Sequence, residues 1–179
     1  MDYRSQDEID SEKKALKNGN LFVHIHSRKE IENFLLVPEA IEKAIKHRIK
    51  EVNKRTGKSL KFDGNVVEII EDLTNNFKLG TQAQLQSHQF KFQRSLNPKL
   101  DDSTIIEAII SDFEIKWSKL ENRLKIIPGK DLLSAINQKL QNDYKVSLSQ
   151  ANIINAMDRK LAPKELKELI ERIDKFRKE

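Results

Sequence analysis

From Ile106 to Ile127 the chain places Ile106, Ile110, Phe113, Trp117, Leu120, Leu124 and Ile127 three or four positions apart. An α-helix turns once in about 3.6 residues, so this spacing draws a single apolar stripe down one side of a long helix. Such a stripe needs a neighbouring apolar surface, which predicts a long helix packed antiparallel on another. Asp101, Asp102 and Ser103 offer N-caps at its start, and Pro128-Gly129 stops it. Little elsewhere opposes helix, since only 5 glycines and 4 prolines interrupt 179 residues.

The other segments read in the same terms. Residues 5–17 predict a short polar helix ended by Asn18-Gly19. "LFVHIH", residues 21–26, is short, branched and aromatic, and predicts a strand. Pro38 opens a helix whose stripe is Ile41, Ile45, Ile49 and Val52, and Gly57 follows its end. A further helix carries Val66, Ile69, Ile70, Leu73 and Phe77, then runs into "GTQAQLQSHQFKFQ", where the helical pattern weakens. Leu133, Ile136, Leu140 and Tyr144 mark another helix, Ser149 caps a short one reaching Met157, and Pro163 opens the last, through Phe176. No internal repeat or disordered linker is visible. The fold class expected is mainly α (α+β): long antiparallel helices behind a small N-terminal α/β piece.

Composition removes several functions. Without cysteine there is no disulfide, thiolate metal site or cysteine nucleophile, which suits a reducing cytoplasm. No apolar run approaches the roughly 18–20 residues of a membrane span, and the N-terminus lacks the order of a secretory signal. The net charge of +5 favours a polyanionic partner mildly, because the charges are well mixed. There is no Gly-rich phosphate loop and no nucleophile elbow.

The charged stretch "SRKEIENFLLVPEAI", residues 27–41, is the main chemical candidate. Arg28 and Glu32 are four apart and would share a helix face, either as an ordinary surface pair or as part of a working cluster. Acidic residues near strand ends can converge at one edge of an α/β unit, so Asp2 and Glu32 are candidate ligands for a hard divalent ion. Pro128-Gly129 places Lys130 at a helix N-terminus, where free N–H groups favour an anion and a lysine beside them can clamp phosphate. His24 and His26 would share a strand face, but no third ligand completes a zinc set.

The same stretch resembles the arginine–(E)IEN–(F/Y)LL–P segment of the overcoming-lysogenization-defect (OLD) family. "WSKLENRLKIIPGKDLLSAINQKLQ", residues 117–141, is similar to that family's tryptophan…PGK segment, and "APKELKELIERIDKF" to its closing helix. In that family an ATP-binding-cassette-type ATPase precedes a Toprim nuclease domain. "MDYRS" then looks like the tail of the Toprim Asp-x-Asp motif, with Asp2 as its final carboxylate. The resemblance implies residues 1–36 as the end of a Toprim-like unit, 37–127 as a helical bundle, and 128–179 as a helical segment packing back on the Toprim part. It implies Asp2 and Glu32 as metal-associated carboxylates, Arg28 as an electrostatic partner and Lys130 as a phosphate-facing group. The implied cofactors are Mg²⁺ or Mn²⁺ in the intact protein, with ATP only through an absent upstream ATPase. The implied partners are DNA, the missing N-terminal portion or another protein, and, as an open question, further copies of the chain; no membrane is involved. The expected function is the C-terminal part of a metal-dependent DNA endonuclease, in phage defence or DNA processing, inactive alone. The alternative is a helical interaction or nucleic-acid-binding module without chemistry.

Overall fold

The computed structural model describes residues 3–4, 6–16 and 22–178. Among them the elements are α1 (Gln6–Leu16), a 3-10 helix (Ile31–Leu35), α2 (Pro38–Thr56), α3 (Val66–Asn75), α4 (Lys78–Leu96), α5 (Asp102–Ser118), α6 (Leu120–Ile126), α7 (Gly129–Tyr144), α8 (Gln150–Ala156) and α9 (Lys164–Phe176). The protein is mainly helical. No helix among the described residues is long and apolar enough to cross a membrane.

Local chemistry sets most of these boundaries. Pro38 occupies the first turn of α2, and Gly57 closes it in the left-handed region at φ 68°, where a side chain would be strained. Asn65 caps α3 by accepting from Val67 N–H at 2.9 Å. Asp101 accepts from Ser103 N–H at 3.0 Å to start α5. The weakly patterned Gln-rich stretch is fully helical, forming α4, because its inner face is Thr81, Leu85 and Gln89, spaced four apart. That face is shaped for burial without being uniformly apolar.

α4 and α5 run antiparallel. Lys78 at the start of α4 meets Glu114 near the end of α5 at 2.8 Å, and Arg94 near the end of α4 meets Asp102 at the start of α5 at 3.1 Å. The expected stripe is present with two corrections. Its buried isoleucines are Ile105 and Ile109, one position before Ile106 and Ile110, which are only half-buried. The helix also breaks at Lys119, whose extended backbone separates α5 from α6. Arg123 reaches over this break: its Nε donates to the Trp117 carbonyl at 3.0 Å, its Nη1 to Thr74 Oγ1 at 2.9 Å, and its guanidinium lies 5.2 Å from the Trp117 ring centroid.

One hydrophobic cluster runs from Tyr3 through Ile41, Ile70, Leu85, Phe113 and Leu132 to Ile153. It draws on residues from each of the stretches 1–36, 37–127 and 128–179.

The strand expected over 21–26 is corrected. Leu21 lies outside the described residues, and 22–26 form no strand, nor does any other described segment. A strand needs a partner edge for its N–H and C=O groups. This segment instead lies on α9. Phe22 packs against Phe176 with ring centroids 5.6 Å apart, and Arg172 donates to the Val23 carbonyl at 3.4 Å. The α/β piece expected at the front is therefore not seen among the described residues. The Asn18-Gly19 stop and Asp2 also lie outside them.

Candidate functional site

The segments "SRKEIEN", "IIPGKD" and "PKEL" meet at one junction, built around Asn33. Its side chain is completely buried. Its Nδ2 donates to the carbonyls of Leu124 at 2.8 Å and Ile127 at 2.9 Å, which the end of α6 would otherwise leave without partners. Its Oδ1 accepts from Glu30 N–H at 2.9 Å and so holds the turn into the 3-10 helix. Gly129 sits directly against it: a Cβ there would stand 2.7 Å from Asn33 Oδ1 and 2.9 Å from its backbone nitrogen. Glycine is required here by close approach. Glu30 completes the seam by accepting from Lys130 N–H at 2.9 Å, a carboxylate at the N-terminus of α7. Ser27 joins α9 to the junction, donating its N–H to Glu165 Oε1 at 2.7 Å and its hydroxyl to Oε2 at 2.5 Å. Burial opposes ionisation of Glu165, but the two Ser27 bonds and the nearby His24 outweigh it and hold the carboxyl below its ordinary range.

Arg28 leads from this junction into a cavity of about 360 Å³. The cavity is walled by Arg4, His26, Arg28, Lys29, Lys116 and Lys125 alongside Tyr3, Ile9, Leu85 and Ile126, and none of its described lining residues is a carboxylate. The Arg28 guanidinium lies 4.8 Å from the Phe34 ring centroid and donates through Nη1 to the Asn33 carbonyl at 2.9 Å. Burial lowers its proton affinity, while Glu165 and Glu121 act in the opposite sense. Lys29 lies 4.6 Å from the Tyr3 ring centroid and donates to Gln84 Oε1 at 3.1 Å; burial lowers its pKa too, against Glu30 and Asp131. Burial pushes Tyr3 up to about 12, so its hydroxyl stays protonated and donates to Gln84 at 3.2 Å. Lys116 and Lys125 are held by Asp112 at 2.6 Å and Glu121 at 2.9 Å, carboxylates that are not part of the cavity wall.

A second cavity shares Ser27, Arg28 and Lys125 with the first, yet it is walled by Glu39, Glu121, Glu165 and Glu168. The shared wall therefore separates a cationic space from one of mixed charge, since Lys164 also lines the second.

The predicted site residues are distributed across this architecture. Arg28 lies in the turn before the 3-10 helix, so the four-residue helical pairing with Glu32 does not apply. Glu32 instead lines an apolar groove with Ile31, Phe34, Leu35, Ile154 and Met157. The Lys130 side chain is exposed, and its placement at a helix N-terminus is as expected. Asp2 is outside the described residues. Among the described residues no group of three or more His, Asp or Glu is arranged to hold a metal ion. His24 faces Glu165 at 3.3 Å and Arg172 at 3.3 Å, while His26 meets Phe34 edge-on with ring centroids 5.9 Å apart.

Sequence reasoning missed Lys29, Lys116 and Lys125 as a group, because nothing local links positions 29, 116 and 125. Asn33 and Gly129 carried a fainter signal, being polar and small residues inside the two motif stretches. Comparison with protein-family models, curated proteins and solved structures finds no match to this chain.

Proposed function

We propose that this chain is the DNA-contacting C-terminal part of an OLD-type Toprim nuclease, acting in phage defence or DNA processing. The observation that carries the reading is the cationic cavity wall of Arg28, Lys29, Lys116 and Lys125, which has no described carboxylate. Phosphate contacts of this kind supply most non-specific affinity for DNA. The stretches on which the resemblance rests also support it, since they meet through Asn33, Glu30 and Ser27. In this reading residues 1–36 are the end of a Toprim-like unit, and Lys130 faces the phosphate path. Mg²⁺ or Mn²⁺ belongs to the intact protein, where Asp2 and upstream carboxylates would join Glu32, and ATP belongs to an upstream ATPase. This chain's own residues bind and orient phosphate.

Fluorescence anisotropy with labelled DNA tests the reading. Binding should weaken steeply between about 50 and 200 mM salt, with log K falling linearly against log salt. Lys116→Glu and Lys125→Glu should each reduce that slope by roughly 1. Added Mg²⁺ or Mn²⁺ should produce no cleavage by this chain alone. Absent or salt-independent binding overturns the assignment.

A second reading, a helical protein-interaction module, is favoured by the exposed Ile31 and Ile154 at the apolar groove and by Ile170, Ile173 and Phe176 on α9. Concentration-dependent self-association or a salt-insensitive protein partner, without DNA binding, would favour it.

A further inference from the structure

We infer that the cationic cavity is a site for one nucleotide unit carrying a single phosphate, with the phosphate on Arg28. The inference deepens the DNA-contacting reading and rests on it for one source of the ligand, a strand terminus; the other source is a free mononucleotide.

Size limits the occupant first. At about 360 Å³ the cavity lies near the lower end of the roughly 300–1,000 Å³ typical of small-molecule sites. It has room for one base with its sugar and phosphate, not for a base pair. The lining divides to match. Ile9, Leu85 and Ile126 offer apolar surface for a base, and Arg28, Lys29 and Lys125 supply charge.

Arg28 provides the independent observation. Its Nη1 is engaged by the Asn33 carbonyl and one face by Phe34, yet its Nε is buried with no hydrogen-bond partner among the described residues. Glu121 and Glu165 act on it electrostatically, but they pair with Lys125 and with Ser27 and His24 instead. Arg28 as a whole is only half-buried, and its planar fork is built to take an oxyanion. Lys29 and Lys125 beside it add charge that a carboxylate would use less fully than a phosphate. A neutral or purely apolar ligand would leave the charge of this wall uncompensated.

The test is a calorimetric and NMR titration of the purified chain with deoxyadenosine 5′-monophosphate, deoxyadenosine and inorganic phosphate. The nucleotide should bind at least about tenfold more tightly than the nucleoside, with shifts at Arg28, Lys29, Leu85 and Ile126. Arg28→Lys keeps the charge but loses the fork, and should weaken binding by about tenfold or more. If that variant is unfolded by circular dichroism, Lys125→Ala, which removes a positive charge from the same wall, should weaken nucleotide binding instead, and unchanged affinity there overturns the site. Linear DNA with a 5′-phosphate should compete with the nucleotide, whereas closed circular DNA should not. Equal binding of nucleotide and nucleoside, shifts confined to other surfaces, or a folded Arg28→Lys of unchanged affinity each overturn the site. DNA binding without nucleotide binding overturns this site and leaves the DNA-contacting reading standing. Nucleotide binding without DNA binding does the reverse and assigns the cavity to free mononucleotides.

Discussion

Asn33 directs its amide hydrogens to two carbonyls at the end of α6 and accepts the Glu30 N–H, so its polar atoms are satisfied inside the protein. Asn33→Ala would leave those buried groups without partners, and the expected loss is about 2–4 kcal/mol. Asn33→Asp keeps the shape but replaces the donor with an acceptor facing two carbonyls, and should cost at least as much. Gly129→Ala places a methyl against the Asn33 backbone, which is less able to move than a side chain. Its cost should be about 1–3 kcal/mol. Urea denaturation of the three variants checks both expectations. If Gly129→Ala is neutral, the close approach at the seam is not a constraint.

At the scale of elements, the α5–α6 arm is the central support. Phe113 is fully buried and stacks on Trp117 with ring centroids 5.3 Å apart, while Arg123 covers the other ring and the break at Lys119. Trp117→Ala should therefore cost about 3–5 kcal/mol, because it removes a large buried ring and leaves Arg123 without its platform. A loss below roughly 1 kcal/mol would show that the arm is not core. α7 ends differently from α2. Lys145 occupies the left-handed position at φ 56° that Gly57 fills for α2. Lys145→Gly should raise stability by about 0.5–1 kcal/mol, readable as a higher urea midpoint. The half-buried Ile106 and Ile110 show why an apolar period leaves the stripe's register open. Adjacent isoleucines at 105–106 and 109–110 satisfy the same spacing, and only the facing α4 selects which pair is covered.

For the whole molecule, acid should act in two stages. Burial lowers the pKa of His26 below its ordinary 6.5, so the fold holds it neutral while the unfolded chain protonates. Its contribution is present above about pH 6.5 and is lost as pH falls through the lower folded value. Glu165 is held below its ordinary 4.5, so its contribution is present above that value and is lost on further acidification. Urea midpoints measured across this range should fall first below about pH 6.5, then again below about 4.5. His26→Phe should remove the first stage, and Glu165→Gln should shrink the second, to which Asp101, Glu121 and Asp158, also held below their ordinary values, contribute as well. An unchanged profile in both would place these groups outside the folding linkage.

Helices, caps and stops were legible in the chain because each depends on neighbours within a turn or two. Pro38 to Gly57, Asp101 before α5 and Ser149 before α8 are set by backbone sterics and by local donors and acceptors. The α4 helix was less legible, since its buried face carries Thr81 and Gln89, which a hydrophobic pattern does not register. The fate of residues 22–26 was not legible at all. Their extended preference is local, but whether they pair in a sheet or lie on α9 depends on which surface is offered to them. The same holds for the candidate site. Arg28 and Lys130 could be singled out from their surroundings, whereas Lys116 and Lys125 join Arg28 only because the kinked α5–α6 arm returns past the N-terminal turn. Backbone conformation is decided by contacts close in sequence, and so the residues alone determined the helical architecture. Cavities are decided by contacts distant in sequence, and so only packing determined which charges share one.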